Sequence, residues 1–180
     1  MRKLIESTFV TLDGVISTPE AWGAPYWDDE HNTYNSALAA RAGGLLLGRK
    51  TFEMFAGVWP SMAGAPGADE MNALPKHVAS RTRNEITEWN GSLLQGDVAD
   101  AVRALKAEEG ADLLKYGTGE LDQTLLQHRL VDELHLWVFP CVAASGDRLL
   151  DGVLDKPTHL TVAERTPFTS GITVLTLVPR

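Results

Sequence analysis

Cysteine is nearly absent: Cys141 stands alone among 180 residues. That excludes an internal disulfide and any multi-cysteine zinc site, and it suits a reducing cytoplasm. Cys141 itself reads as a small buried apolar residue rather than a nucleophile. Positive charge is also in deficit, with 16 Lys and Arg against 24 Asp and Glu and a net charge of -8. Nucleic acid is therefore not an expected partner, because backbone binding needs a basic face to release counterions, and any anion site has to be local. Long hydrophobic runs are missing. The opening "MRKLIESTFV" is too short an apolar stretch for a signal peptide, and no segment approaches a membrane span. The expectation is a cytoplasmic protein with no membrane partner. No Gly-x-Ser-x-Gly elbow and no triad order is present. His31 in "DDEH" has no second His or Cys at helical spacing, so no metal site is expected. Repeats, linkers and composition shifts are lacking too, so residues 1–180 read as a single domain.

What is present is an alternation of strands and helices. "KLIESTFVTLDG" has the β-branched alternation of a strand and ends in the turn Asp13-Gly14. The following "STPEAWGAPYWDDEH" reads as a long irregular loop of the functional kind, able to lie over a site. A helix over 30–41 carries Tyr34, Ala37 and Leu38 on one face, and Gly43-Gly44 ends it before a buried strand at Leu45 to Leu47. Phe52, Phe55, Ala56 and Trp59 then recur at helical spacing. "WPSMAGAPGADEMNALP" reads as loop, "KHVAS" and "SLLQG" as short strands, and Asp97 as the cap of a helix reaching Gly110. The strand, glycine turn, helix arrangement repeats in "DLLKYGTGELDQTLLQHRL". "VDELHLWVFP" is an apolar strand, 151–157 a turn region, and "HLTVAERTPF" with "ITVLTLVP" a closing antiparallel pair. The fold class is α/β, with a mixed, mostly parallel central sheet, an antiparallel C-terminal hairpin and helices on both faces.

Gly43 to Thr51 reads G-x-x-x-x-G-R-K-T, close to a nucleoside-triphosphate loop. Three of the four spacers are Leu45, Leu46 and Leu47, however, which suit a buried strand and not a phosphate cradle. The turn begins only at Gly48. Gly48, Arg49 and Thr51 then place a helix N-terminus, a guanidinium and a hydroxyl at a strand exit, which is the chemistry of an anion site. A second turn, Gly117-Thr118-Gly119, lets a ligand approach the backbone closely and adds a hydroxyl. "KHVASRTR" adds Ser80 and Arg81 after another strand end. Two separated phosphate turns on one sheet suggest a dinucleotide bearing a further 2′-phosphate. The Rossmann fingerprint is not met, because Asp122 occupies the third glycine position and no acidic residue ends a following strand where it is needed.

The order "TLDG", "LLLGRKTFE", "PKHVASRT" and "YGTGELDQTLLQHRLVDELHLWVFPCV" closely resembles the dihydrofolate reductase-like superfamily, in the branch similar to the riboflavin-biosynthesis reductase. The resemblance runs from Lys3 to the last strand. It implies the three-layer dihydrofolate reductase-like fold, an NADPH-dependent reductase and a homodimer. It also implies that NADPH crosses the carboxyl ends of the central strands. Gly48, Arg49 and Thr51 would then meet phosphate, Ser80 and Arg81 would lie by the 2′-phosphate, and Gly117, Thr118, Gly119, Glu120 and Leu121 would cover the pyrophosphate. Thr118 interrupts the family's usual paired glycine, and none of the 180 residues reads as a deaminase domain.

On the substrate side, reduction of a C=N bond needs a proton source near the acceptor nitrogen. Asp28 and Asp13 are the candidate catalytic carboxylates, each with a plain alternative, Asp28 as a helix cap and Asp13 as a turn residue. Trp22, Tyr26 and Trp27 are candidates to stack on a small heterocycle, pterin-like or pyrimidine-like, or else to close the rim of the core. A nucleotide-binding module of the same fold without catalysis is the alternative function.

Overall fold

In the computed structural model, which describes residues 1–180, eight strands form one sheet in the order β4-β3-β2-β5-β1-β6-β8-β7. The strands are β1 (Leu4–Thr11), β2 (Ala42–Gly48), β3 (Lys76–Ala79), β4 (Gly91–Leu93), β5 (Asp112–Tyr116), β6 (Glu133–Phe139), β7 (Leu160–Pro167) and β8 (Thr173–Pro179). Pairing is parallel from β4 through β6, and antiparallel where β8 joins β6 and β7. The middle strands are buried on both faces, which is why they read as continuous apolar runs: Leu45, Leu46, Leu47, Leu113 and Leu114 are all fully buried.

Six helices accompany them: α1 (Pro19–Gly23), α2 (Asp29–Ala40), α3 (Arg49–Val58), α4 (Ala68–Ala73), α5 (Val98–Ala107) and α6 (Glu120–Gln127). One sheet face carries the larger core, where Leu38 of α2 and Phe52 of α3 pack with Ile5, Leu47, Leu114 and Trp137. The other carries Leu4, Leu46 and Leu113 against Ala99, Val102 and Leu105 of α5 and Leu125 of α6. The result is three layers.

Several local expectations need correction. The aromatic segment after β1 is not irregular, since α1 and a 3-10 turn (Ala24–Tyr26) occupy most of it, each opened by a proline near its start. The stretch after α3 likewise holds a 3-10 turn (Trp59–Met62) and α4. Gly43 and Gly44 do not stop a helix but lie inside β2. A Cβ on Gly43 would stand 3.1 Å from both the Cβ and the carbonyl oxygen of Ala111, at a point where the register with β5 shifts, so the glycine marks a close backbone approach. Cys141 is half-buried at the loop after β6 and packs against the larger core without lying inside it.

Candidate active-site cleft

The parallel strands β2, β3 and β5 all end at the same edge of the sheet, and a cleft of about 1050 Å³ opens there. That is the upper end of the usual range for a ligand pocket, with room for an extended ligand. Gly48, Arg49, Lys50 and Thr51 line one side. Ser80, Arg81 and Thr82 line the far end, and the segment from Lys115 to Thr124 lines the other side. The structure thus brings together every residue named above as a cofactor contact.

Each turn has a local cause. Gly48 is the N-cap of α3, in extended conformation and with no side-chain cap, so the first N–H groups of the helix have no partner from that residue. A Cβ at Gly48 or Gly119 would meet nothing within 4 Å. The turns are therefore open toward the cleft. Gly117 has φ +70°, a left-handed conformation that favours glycine, and its N–H donates to the Ser7 carbonyl at 2.9 Å. Ser80 holds its own loop, its Oγ accepting from Thr82 N at 3.2 Å and Arg83 N at 3.0 Å. Arg49 pairs at 2.8 Å with Glu53 one turn further along α3, and Arg81 pairs with Glu120 across the cleft mouth.

Beneath the second turn lies a buried ionic cluster. Lys115 Nζ sits 2.9 Å from Asp122 and 3.5 Å from Glu6, and it donates to the Gly117 carbonyl. Asp122 in turn accepts from the Gly119 N–H at 2.6 Å. The side chain at the missing third glycine is thus what fastens the turn. Burial pushes the Glu6 carboxyl well above the usual range, Asp122 adding to this and Lys115 opposing it. For Lys115, burial pulls the ammonium down, yet the carboxylates of Glu6 and Asp122 outweigh it and hold the group above its ordinary value. Two hydroxyls flanking Gly117, those of Tyr116 and Thr118, are buried without any hydrogen-bond partner.

The fourth wall was not anticipated. Ile16 and the segment Gly146–Val153 close the cleft on the β1 side. They are tied together by an antiparallel bridge between Val15 and Arg148 and by Ile16 N donating to the Asp147 carbonyl at 2.9 Å. In sequence this wall has only the turn-like signature of "SGDRLLDG", which says nothing about where the turn docks.

The residues named for the substrate side lie elsewhere. Asp28 is the N-cap of α2 and accepts from His31 N at 2.9 Å. Asp13 accepts from the Thr11 hydroxyl at 2.6 Å and from the N–H groups of Ala143 and Ala144; the Thr11 hydroxyl, ahead of those backbone donors, holds its carboxyl below the ordinary value. Neither carboxylate lines the cleft. Trp22 and Tyr26 pack edge-on against Phe139, with ring centroids at 5.1 and 5.8 Å, and Trp27 stacks on His31 at 6.0 Å. Trp22 and Tyr26 cover the rim of the core, Trp27 stays 43% exposed beside His31, and none of the three lines the cleft. The reason is the helical path of the segment, which turns Trp22 and Tyr26 down onto Phe139 of β6.

Glycine turns, unpartnered hydroxyls and the cations Arg49, Lys50 and Arg81 form a donor set that fits a phosphate-bearing dinucleotide. Comparison with known proteins agrees with this architecture. The RibD C-terminal domain family matches residues 2–174. The uncharacterized protein YyaP of Bacillus subtilis (strain 168) is 29% identical over 178 residues, covering 95% of this chain and 92% of YyaP. A proposed riboflavin biosynthesis protein of Shewanella sp. PV-4 superposes with a TM-score of 0.76 at 23% identity, over 99% of both chains. The diaminohydroxyphosphoribosylaminopyrimidine deaminase/5-amino-6-(5-phosphoribosylamino)uracil reductase of Thermotoga maritima gives a TM-score of 0.70 at 13% identity, over 99% of this chain and 57% of that one.

Proposed function

From the premise that this chain belongs to the RibD C-terminal domain family, we propose that it is an NADPH-dependent reductase that transfers hydride to a small, pyrimidine-like or pterin-like heterocycle. Family membership supports an oxidoreductase of the pyrimidine reductase kind. The observation that carries the finer reading is the convergence of three anion-recognition devices, at the ends of β2, β3 and β5, on a single cleft. Along that edge Arg81, Ser80 and the Arg49 side chain would meet the 2′-phosphate, while the backbone turns at Gly48 and Gly117–Gly119 would hold the pyrophosphate. When bound, the dinucleotide supplies the hydride. The chain's own residues orient it, and the wall formed by Ile16, Leu150 and Val153 keeps water from its uncharged end. Glu120 and Leu121 contribute as backbone, through the N-terminus of α6, because a glutamate side chain repels a phosphate. With Asp28 and Asp13 engaged elsewhere, the proton of the reduction is drawn from solvent or from a hydroxyl within the cleft.

Calorimetric titration of NADPH and NADH tests this. The 2′-phosphate carries about -1.5 to -2 charge, and a charge-assisted hydrogen bond contributes roughly 1.5 to 3 kcal/mol. Arg81→Ala and Arg49→Ala are each expected to weaken NADPH about tenfold to a hundredfold and to leave NADH nearly unchanged. Equal losses for both cofactors would move that arginine to the pyrophosphate. No binding of either cofactor by the wild type would overturn the reading.

A further inference from the structure

The hydroxyl of Tyr116 has no partner in the protein, although it is shielded from solvent. Leaving such a group unpaired costs on the order of 1 to 3 kcal/mol, so its persistence needs an explanation. Tyr116 is the last residue of β5 and borders the cleft. Its ring packs on Phe55 of α3 at 5.8 Å between centroids, and that contact would be served equally well by phenylalanine. Burial pushes the phenol above the ordinary tyrosine value, so it stays a neutral group with one proton to donate.

Position along the edge indicates what it meets. The charge-reading groups, Arg81, Ser80 and the Gly48 turn, stand on β3 and β2. On the opposite side of β5 the wall offers a phosphate nothing: it consists of the apolar Ile16, Leu150 and Val153 with the carboxylates Asp147 and Asp151, and its one cation, Arg148, already donates to the Asp13 carbonyl. A dinucleotide laid from Arg81 across the two turns would bring its uncharged, redox-active end to Tyr116. This rests on the function proposed above. We infer that the Tyr116 hydroxyl hydrogen-bonds an amide-like C=O or N–H group at that end of the cleft and so positions the reacting rings. Two ligands carry such a group there: the carboxamide of the dihydronicotinamide, and a pyrimidine-like acceptor.

Tyr116→Phe separates this from a structural role by sign. Removing an unpaired buried hydroxyl is expected to leave the melting temperature unchanged or to raise it, while ligand affinity falls about three- to tenfold. Calorimetry uses three probes: NADPH; 2′-phospho-ADP-ribose, which lacks the nicotinamide; and 2,4-diamino-6-hydroxypyrimidine added to the NADP⁺-saturated protein. Loss for NADPH with 2′-phospho-ADP-ribose unchanged assigns the hydroxyl to the carboxamide. Loss only for the pyrimidine assigns it to the acceptor. Equal losses for NADPH and 2′-phospho-ADP-ribose, a lowered melting temperature, or no change with any probe would overturn the inference. Failure of the wild type to bind any dinucleotide would instead overturn the functional premise.

Discussion

The two ends of the sheet hold similar charges and use them in opposite ways. At the amino ends of the strands, cations are consumed in the fold. Arg41 binds Glu133 at 2.8 Å and Asp112 at 3.2 Å, Lys3 binds Glu133 at 2.8 Å, and Arg2 donates to the Ala111 carbonyl at 2.6 Å. At the carboxyl ends Arg49 and Arg81 have only exposed or local carboxylates as partners, and the Tyr116 and Thr118 hydroxyls have none. Parallel strands impose this asymmetry. Every strand exit faces the same way, so helix N-termini and open turns collect at one edge, and the chain's remaining cations are free to knit the other. One end ties its charges into the fold, and the other leaves its donors open to the cleft.

The buried cluster under the second turn is the exception, and it offers the largest test. Lys115 serves the ligand end but is built like the stabilising one, with 4% of its side chain exposed and Asp122 at 0%. Lys115→Met leaves the Asp122 carboxylate without its cationic partner and frees the Gly117 carbonyl. A loss of about 3 to 5 kcal/mol is expected in urea denaturation, the usual consequence of breaking a buried pair. A loss near that of an exposed salt bridge, below about 1 kcal/mol, would mean that the turn holds its shape unaided.

The amino end sharpens the contrast through pH. Hydrogen bonds from Arg41, opposed by burial and joined by those from Lys3 and His135, bring the Glu133 carboxyl down from 4.5 to about 2. A carboxyl depressed on folding contributes stability above its unfolded value, and that contribution disappears as pH falls through the folded one. Stability should therefore decline between about pH 4.5 and pH 2. Glu133→Gln should cost roughly 1 to 2 kcal/mol at neutral pH, discounted for the solvent at Arg41 and Lys3, and should flatten that decline. NADPH affinity at pH 7 should not change; a change would show that the two ends are coupled.

The same asymmetry accounts for what was legible in the sequence. Strand interiors announced themselves because burial on both faces demands runs such as Leu45 to Leu47, and the cleft residues because glycine turns recur with Arg49, Ser80 and Arg81 at several strand exits, where any one of them alone would serve a tight turn. Asp97 and Asp28 cap helices as their spacing allows. What stayed hidden depends on long-range docking. The wall from Gly146 to Val153 meets residues about 130 positions earlier, as in the Asp147 N–H bond to Ser17 Oγ at 3.0 Å. Asp122 looked like a defect in a glycine motif, and its pairing with Lys115 is visible only once α6 folds back over β5. The aromatic segment left two readings open because Trp and Tyr serve a core rim and a heterocycle with the same side-chain chemistry.

The smallest expected effect concerns the contact that looks least like the rest of the ligand end. Arg81 and Glu120 pair across the cleft mouth with 84% and 72% of their side chains exposed, so the pair adds little to stability. Its position matters more. Glu120 is the first residue of α6, where its carboxylate already occupies the positive end of the helix and holds the guanidinium that would read the 2′-phosphate. An incoming phosphate has to displace it. Glu120→Gln keeps the length and polarity of the side chain and removes the competing charge, so NADPH should bind about two- to fivefold more tightly, with the melting temperature unchanged. NADH, which lacks the phosphate, should respond less. Because both groups face solvent, the gain should shrink with added salt as screening weakens the competition. Titrating both cofactors at low and high ionic strength distinguishes this from the opposite arrangement. If Glu120 instead steers Arg81 into place, the same substitution will weaken NADPH, and the carboxyl end will prove to contain a second element fixed in advance, like the one formed by Lys115 and Asp122.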